Sequence, residues 1–281
     1  MEFTISSLGP LALCASRQTN MQRRQFLSSS LAAAAALDAQ TEGQSSGGRE
    51  YYELRRYHLQ SGPTTKAANK YLEEALIPAL NRLGMKTVGA FDLYLGPETP
   101  SIYVLIPSTA LETLVNAESH LARDDEYRKA GEAFLGATAK EPAYLRIESS
   151  LLIAFEGHPK LTVTPATAQH GARVLQMRTY ESPGMAAHQR KVEMFHSGEF
   201  EIFKKAGFWS VFYGDTLIGQ HLPQLTYMVS FPDLSELDAK WKAFFADPDW
   251  KKLSSSPKFN YESIVSNITN LILRPTSYSQ I

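Results

Sequence analysis

Compared with itself, the chain keeps one register over most of its length. Leu54-Arg55-Arg56-Tyr57 aligns with Met177-Arg178-Thr179-Tyr180, an offset of 123 (178 minus 55). Leu80-Asn81-Arg82-Leu83-Gly84 meets Phe203-Lys204-Lys205-Ala206-Gly207, and Asp124-Asp125-Glu126-Tyr127-Arg128 meets Asp247-Pro248-Asp249-Trp250-Lys251, both at that offset. Separated blocks sharing one offset imply two copies of one supersecondary unit, which buries its apolar face by packing on its neighbour. Tyr103-Val104-Leu105 pairs with Tyr227-Met228-Val229 at 124 and Pro107 with Pro232 at 125, so small insertions are expected near the second central hairpin. The repeat places one domain at 49–155 and another at 173–281, with a Pro-, Thr-, Gly- and His-rich linker at 156–172.

Each copy has the same local pattern. Strands are expected at Tyr51 to Leu59 and Arg173 to Glu181, where side chains alternate between two faces. Ala68, Tyr71, Leu72, Ala75, Leu76, Ala79, Leu80 and Leu83 then form a helical apolar stripe, with Gly84 as its stop and Pro78 as an expected kink. Phe195, Ile202, Phe203 and Ala206 repeat that stripe before Gly207. Strands follow at Lys86 to Leu95 and Ser101 to Ile106, and at Trp209 to Asp215 and Leu225 to Phe231. Helix is expected at Leu111 to Gly136 and Leu234 to Leu253, and closing strands at Leu145 to Phe155 and Tyr261 to Leu273. The order β-α-β-β-α-β is the ferredoxin-like motif, of α+β class.

The first 48 residues read as an address and a tether. From Met21 the chain carries the pair Arg23-Arg24, then Phe26-Leu27, an alanine-rich run and small residues, in the order of a twin-arginine export signal. Cleavage is expected after Ala36 or Ala39, Thr41 to Gly48 reads as a flexible linker, and Met21 is the preferred start over Met1. The apolar run falls short of the about 20 residues that span a bilayer, so the chain is expected to be exported to the periplasm without stable membrane insertion. The only cysteine, Cys14, lies in this segment, which removes disulfides and cysteine metal sites from the mature protein. A formal net charge of -1 gives no field for steering onto nucleic acid. No nucleophile elbow, phosphate loop or dinucleotide fingerprint occurs.

Glu53-x-Arg55-x-Tyr57, the helix stop at Gly84, Asp247-Pro248-Asp249-Trp250 and the closing Leu273-Arg274-Pro275-Thr276-Ser277-Tyr278-Ser279 resemble the NIPSNAP family of the dimeric α/β-barrel superfamily. The resemblance implies two tandem ferredoxin-like domains packed sheet to sheet as a pseudo-dimeric α/β barrel within one chain. It implies no settled reaction. Superfamily relatives include cofactor-free oxygenases, isomerases, haem enzymes and proteins of no known activity, a range that the fold does not narrow. The second copy departs from the opening motif, with Gln176 in place of Glu53.

Alternation sorts the opening strands into two sets. Tyr52, Leu54, Leu175 and Met177 are expected to pack on helices, and Glu53, Arg55, Tyr57, Gln176, Arg178 and Tyr180 to point between the sheets. A guanidinium there needs an acceptor, which either an internal network or a small anionic or carbonyl ligand supplies. Tyr103 and Tyr227, with Tyr94, Tyr213 and Trp209, are candidates to line the same cavity. His58 is the candidate for acid-base work, and the seven histidines form no metal-ligand spacing. The leading expectation is a small-molecule-binding protein with no metal or cofactor, haem and flavin being left open. An oxygenase or isomerase and a partner-binding protein with a filled interior are the alternatives, and a homodimer through the outer surfaces is also left open.

Overall fold

The computed structural model describes residues 48–169 and 171–281, and the expected export signal and Cys14 lie outside them. Gly48–Ile281 form one compact unit. The first half runs β1 (Tyr51–His58), α1 (Pro63–Tyr71), α2 (Ile77–Arg82), β2 (Gly89–Leu95), β3 (Ser101–Ser108), α3 (Leu111–Val115), α4 (Ala117–Leu121), α5 (Asp125–Ala130), α6 (Glu132–Leu135) and β4 (Arg146–Ala154). After α7 (Pro165–Ala168), the second runs β5 (Val174–Glu181), α8 (Met185–Met194), α9 (Phe200–Lys205), β6 (Trp209–Ile218), β7 (Gln224–Phe231), α10 (Leu234–Ala246), α11 (Pro248–Ser254), α12 (Tyr261–Ile264) and β8 (Asn267–Pro275).

The strands close into a barrel in the order β1-β3-β2-β8-β5-β7-β6-β4. Every pairing is antiparallel, and the halves join edge to edge through β2–β8 and β4–β6. Closure leaves no strand edge exposed. The order β4-β1-β3-β2 in the first half is that of β8-β5-β7-β6 in the second.

The ladders correct the expected insertions. Arg55 pairs with Val104 and Arg178 with Tyr227, while Gly89 pairs with Leu105 and Phe212 with Met228, so an offset of 123 (227 minus 104) runs unbroken through the hairpins. Tyr227 therefore corresponds to Val104 rather than to Tyr103, and Pro107 to Ser230. The offset changes only at the closing strand, where Tyr52 pairs with Leu152 and Leu175 with Leu273, 121 apart (273 minus 152).

The expected facing of the strands is inverted. Tyr52, Phe91, Leu105, Leu152, Leu175, Met177, Phe212, Met228 and Leu273 form a buried cluster that fills the barrel, with Leu54 packed on it. Arg55, Tyr57, Arg178 and Tyr180 lie under the helices instead, where the cluster of the first half includes Tyr57 and that of the second Tyr180, Tyr213 and Tyr227. An eight-stranded barrel is just wide enough for side chains to fill, so the middle of its lumen takes the mainly apolar set, with Arg56, Glu148 and Glu181 beside it towards one end. The polar set faces helices that carry its partners.

Gly84 (φ 87°) and Gly207 (φ 79°) stop the first helices of the two halves in the left-handed region that glycine favours. Both helical stretches widen into one π-turn, at Leu72–Leu76 and Phe195–Glu199. Glu201 stands in the second half where Pro78 stands in the first, so the irregularity common to both does not depend on proline. The stretch expected as helix from Leu111 to Gly136 is four short ones, the third of which is started by Asp124, whose side chain accepts from Tyr127 N at 2.9 Å. The expected closing strand at Tyr261 begins as the short helix α12.

Candidate functional site

Between the sheet and the helices of the second half, β5 presents Gln176, Arg178 and Tyr180 to α8, α10 and α12. Trp241 of α10 donates Nε1–H to Gln176 Oε1 at 2.6 Å, and Gln176 Nε2 donates to Asn270 Oδ1 at 2.8 Å. This fixes the indole over Arg178, whose guanidinium carbon sits 4.5 Å from the Trp241 ring centre and 5.2 Å from that of Tyr180. Arg178 Nε is buried and has no hydrogen-bond partner among the described residues. Burial alone would lower its pKa, but the hydroxyls of Tyr227, Tyr180 and Tyr261 and the Glu199 carboxylate hold it above the ordinary arginine value.

Behind this floor lies a buried ion pair. Lys191 of α8 donates from Nζ to Glu199 Oε2 at 2.6 Å, and both side chains are almost wholly out of solvent. Phe195 lies 4.4 Å from the ammonium, and Tyr180 and Tyr261 each lie 5.2 Å from it. Burial draws the lysine below its ordinary pKa and the carboxyl above its own, each opposed by the partner's charge. Tyr180 and Tyr227 share a hydroxyl–hydroxyl hydrogen bond of 2.9 Å, and burial raises the pKa of both.

In front of the floor opens a cleft of about 570 Å³, within the size range of small-molecule sites, with Arg178, Trp241, Phe244, Trp250, Asn260 and Tyr261 among its lining. Its aromatic walls meet one cation, Arg178, at the base, and Ser254, Ser255, Asn260 and Glu262 add polar groups to the lining.

The corresponding space of the first half is built differently. Arg55, 7% exposed, donates from Nε and Nη2 to Glu53 at 2.5 and 2.9 Å, and its Nη1 lies 2.7 Å from Glu118. Tyr71 and Tyr127 share a 2.7 Å hydroxyl hydrogen bond, and Phe134 stacks on Tyr71 at 4.1 Å. Tyr57 is buried beneath, its pKa pushed up to about 12 by burial against the opposing pull of Arg55.

The residues singled out from the sequence do not share one cavity. Gln176, Arg178, Tyr180 and Tyr227 come together in the second half, and Glu53, Arg55 and Tyr57 in the first. Tyr103 faces the lumen, with Arg56 over its ring at 5.4 Å, because one step along the strand reverses a side chain's facing. Tyr94 and Trp209 are exposed. His58 is 2% exposed, with Nδ1 2.8 Å from Glu98. Its Nε2 is 3.1 Å from Glu148, close enough to pair but out of line for a hydrogen bond. Two carboxylates thus hold it at the barrel's end, away from both helix-covered spaces. Among the described residues no cluster of three His, Cys, Asp or Glu side chains fits a metal ion, and no helix is long and apolar enough to cross a membrane.

Sequence reasoning missed Lys191, Glu199, Trp241 and Tyr261 as parts of the site. Copying the first helical stripe through the offset of 123 exposes the first two, since Ala68 maps onto Lys191 and Leu76 onto Glu199.

Residues 175–280 match the NIPSNAP family model. A crystal structure of an uncharacterized NIPSNAP-like domain protein from Burkholderia xenovorans is 22% identical, covers 39% of this chain and 90% of its own, and has a TM-score of 0.36. Two provisionally assigned monooxygenases match over 81% of this chain at a TM-score of 0.54. One, from Lactobacillus acidophilus, is 7% identical and covered over 94% of its length; the other, from Fusobacterium nucleatum, is 8% identical and covered over 93%. At such identities the likeness is one of fold. No curated protein matches the chain.

Proposed function

We propose that this chain, which carries a NIPSNAP domain match at residues 175–280, is a tandem of two ferredoxin-like units, the second of which binds a small aromatic molecule between its sheet and its helices. One observation carries the reading: Arg178 lies at the base of an aromatic cleft, and among the described residues no acid pairs with it and no atom accepts from its buried Nε. An unmet buried donor costs about 1–3 kcal/mol, of which stacking on Trp241 and Tyr180 recovers a part. Arg55 needs no ligand, because Glu53 and Glu118 satisfy it. The first unit is thus the structural counterpart of the second. The arginine pair and apolar run of the N-terminus support export by the twin-arginine route to the periplasm as the setting.

A second reading, a cofactor-free oxygenase or isomerase, draws on the barrel fold shared with the two provisionally assigned monooxygenases. In it Arg178 and the Tyr180–Tyr227 hydroxyl pair would polarise a carbonyl or phenol oxygen.

Native mass spectrometry of the exported protein tests the binding reading. The expected result is a co-purifying small molecule, or a retained aromatic probe such as 2-naphthol, in the wild type and in Arg55→Met but not in Arg178→Met. Equal loss from both variants, or no bound mass with either ligand, would sink it. Turnover of a bound phenol under oxygen would favour the enzymatic reading.

A further inference from the structure

The two halves serve as each other's control at one buried arginine. Arg55 and Arg178 are equivalent by ladder position, yet every acid around the first is replaced around the second. Glu53 becomes Gln176, and Glu118, carried through the same offset, becomes Trp241. Gln176 and Trp241 hydrogen-bond to each other, so neither turns a free acceptor to the guanidinium. Of the carboxylates around it, Glu199 is committed to Lys191, and Glu262 stands exposed in the lining of the adjoining cleft. Two acids thus flank the single guanidinium of the first half, while among the described residues no carboxylate pairs with Arg178 in the second.

The Trp241 and Tyr180 rings lie close to the guanidinium carbon and the Nε–H is shut off from solvent, so a ligand in the cleft meets Arg178 through its terminal nitrogens. A fork of parallel N–H groups matches a carboxylate. In the first half Glu53 is held by such a fork, through Nε and Nη2. Phe244, Trp250 and Tyr261 line the adjoining cleft and suit a flat ring.

We infer that the second-half cleft takes an aromatic carboxylate, whose carboxylate supplies Arg178 with the acid partner that Glu53 supplies to Arg55. The inference rests on the cleft being a ligand site and adds the chemical class of the ligand.

Titration calorimetry on the full chain, with naphthalene-2-carboxylate against the neutral 2-naphthalenemethanol, tests it. The carboxylate is expected to bind about 10- to 100-fold more tightly, the range of one charge-assisted hydrogen-bonded pair. Gln176→Glu restores an internal acid of nearly the same shape and should abolish that preference while leaving the neutral analogue bound. Arg178→Lys keeps the charge but loses the fork, and should cost the carboxylate about 10-fold or more. Arg55→Met should leave the preference for the carboxylate unchanged. If neither compound binds, the cleft is not a ligand site and both readings fall. Equal binding of both compounds, or a carboxylate preference that survives Gln176→Glu and Arg178→Lys, leaves the cleft as a ligand site and overturns the inference.

Discussion

The two halves hold the same frame and opposite interiors under their helices. Both have a π-turn at the same offset and a glycine stop, and both tie the start of a later helix to the end of the helix before the central hairpin by an ion pair, Arg82–Asp124 at 2.7 Å and Lys205–Asp247 at 2.8 Å. Where the first half sets Ala68 and Leu76 against its sheet, both fully buried, the second sets a lysine and a glutamate. The difference teaches that strand pairing and helix stops fix the frame, while the contents of each layer vary with few changes to it.

The largest expected effect comes from breaking the ion pair. Lys191→Met strands the Glu199 carboxylate in an apolar layer and should lower unfolding free energy by about 3–5 kcal/mol. The double substitution Lys191→Ala/Glu199→Leu copies the first half and should return stability to within about 1 kcal/mol of wild type or above it. Urea denaturation of both variants decides the point, and a double variant as weak as the single one would mean that the pair is needed for packing.

Glu53→Gln makes the first half resemble the second at its arginine. It should cost about 1–3 kcal/mol in the same measurement, because Glu118 is more exposed and only partly replaces the lost acceptor. A silent substitution would show that Arg55 does not need Glu53, which would weaken the contrast with Arg178.

The smallest effect is shared by both halves. The Tyr127 backbone N–H, with Arg82, holds the Asp124 carboxyl below its ordinary pKa, and Lys205, with the Asp249 backbone N–H, does the same for Asp247. Folded values below unfolded ones mean that this stability is present above the ordinary Asp range and is lost as pH falls through the lowered values. Asp124→Asn and Asp247→Asn keep a capping oxygen while removing the titration. Each should flatten the acid limb of the melting-temperature profile slightly and about equally, and a large difference between them would break the equivalence of the two ends.

Much of the frame was legible because it rests on periodicity. The strands near Tyr51 and Arg173, the apolar helix stripe and the stops at Gly84 and Gly207 all follow from local pattern. The facing of the strands was not legible in the same way, since alternation separates two sets without saying which turns inward. That choice depends on closure by β2–β8 and β4–β6, contacts between residues far apart in sequence. The one-residue error at Tyr103 had a similar origin, for the match of Tyr103 with Tyr227 looks better by eye than that of Val104 and only the ladder rejects it. Arg178, Tyr180 and Gln176 were found by their strand positions. Lys191 and Glu199 were not, because a helical residue's burial is set by the sheet beneath it.

The two seams that close the ring within one chain have a consequence for how such a molecule changes over generations. In a symmetric dimer of identical subunits, each inherited substitution lands twice, so a cleft cannot be opened on one side while its twin stays sealed. Here β2–β8 and β4–β6 join strands encoded separately. One copy is free to keep acids beside its buried arginine while the other sheds them, and heredity can treat the two helix-covered layers as separate characters.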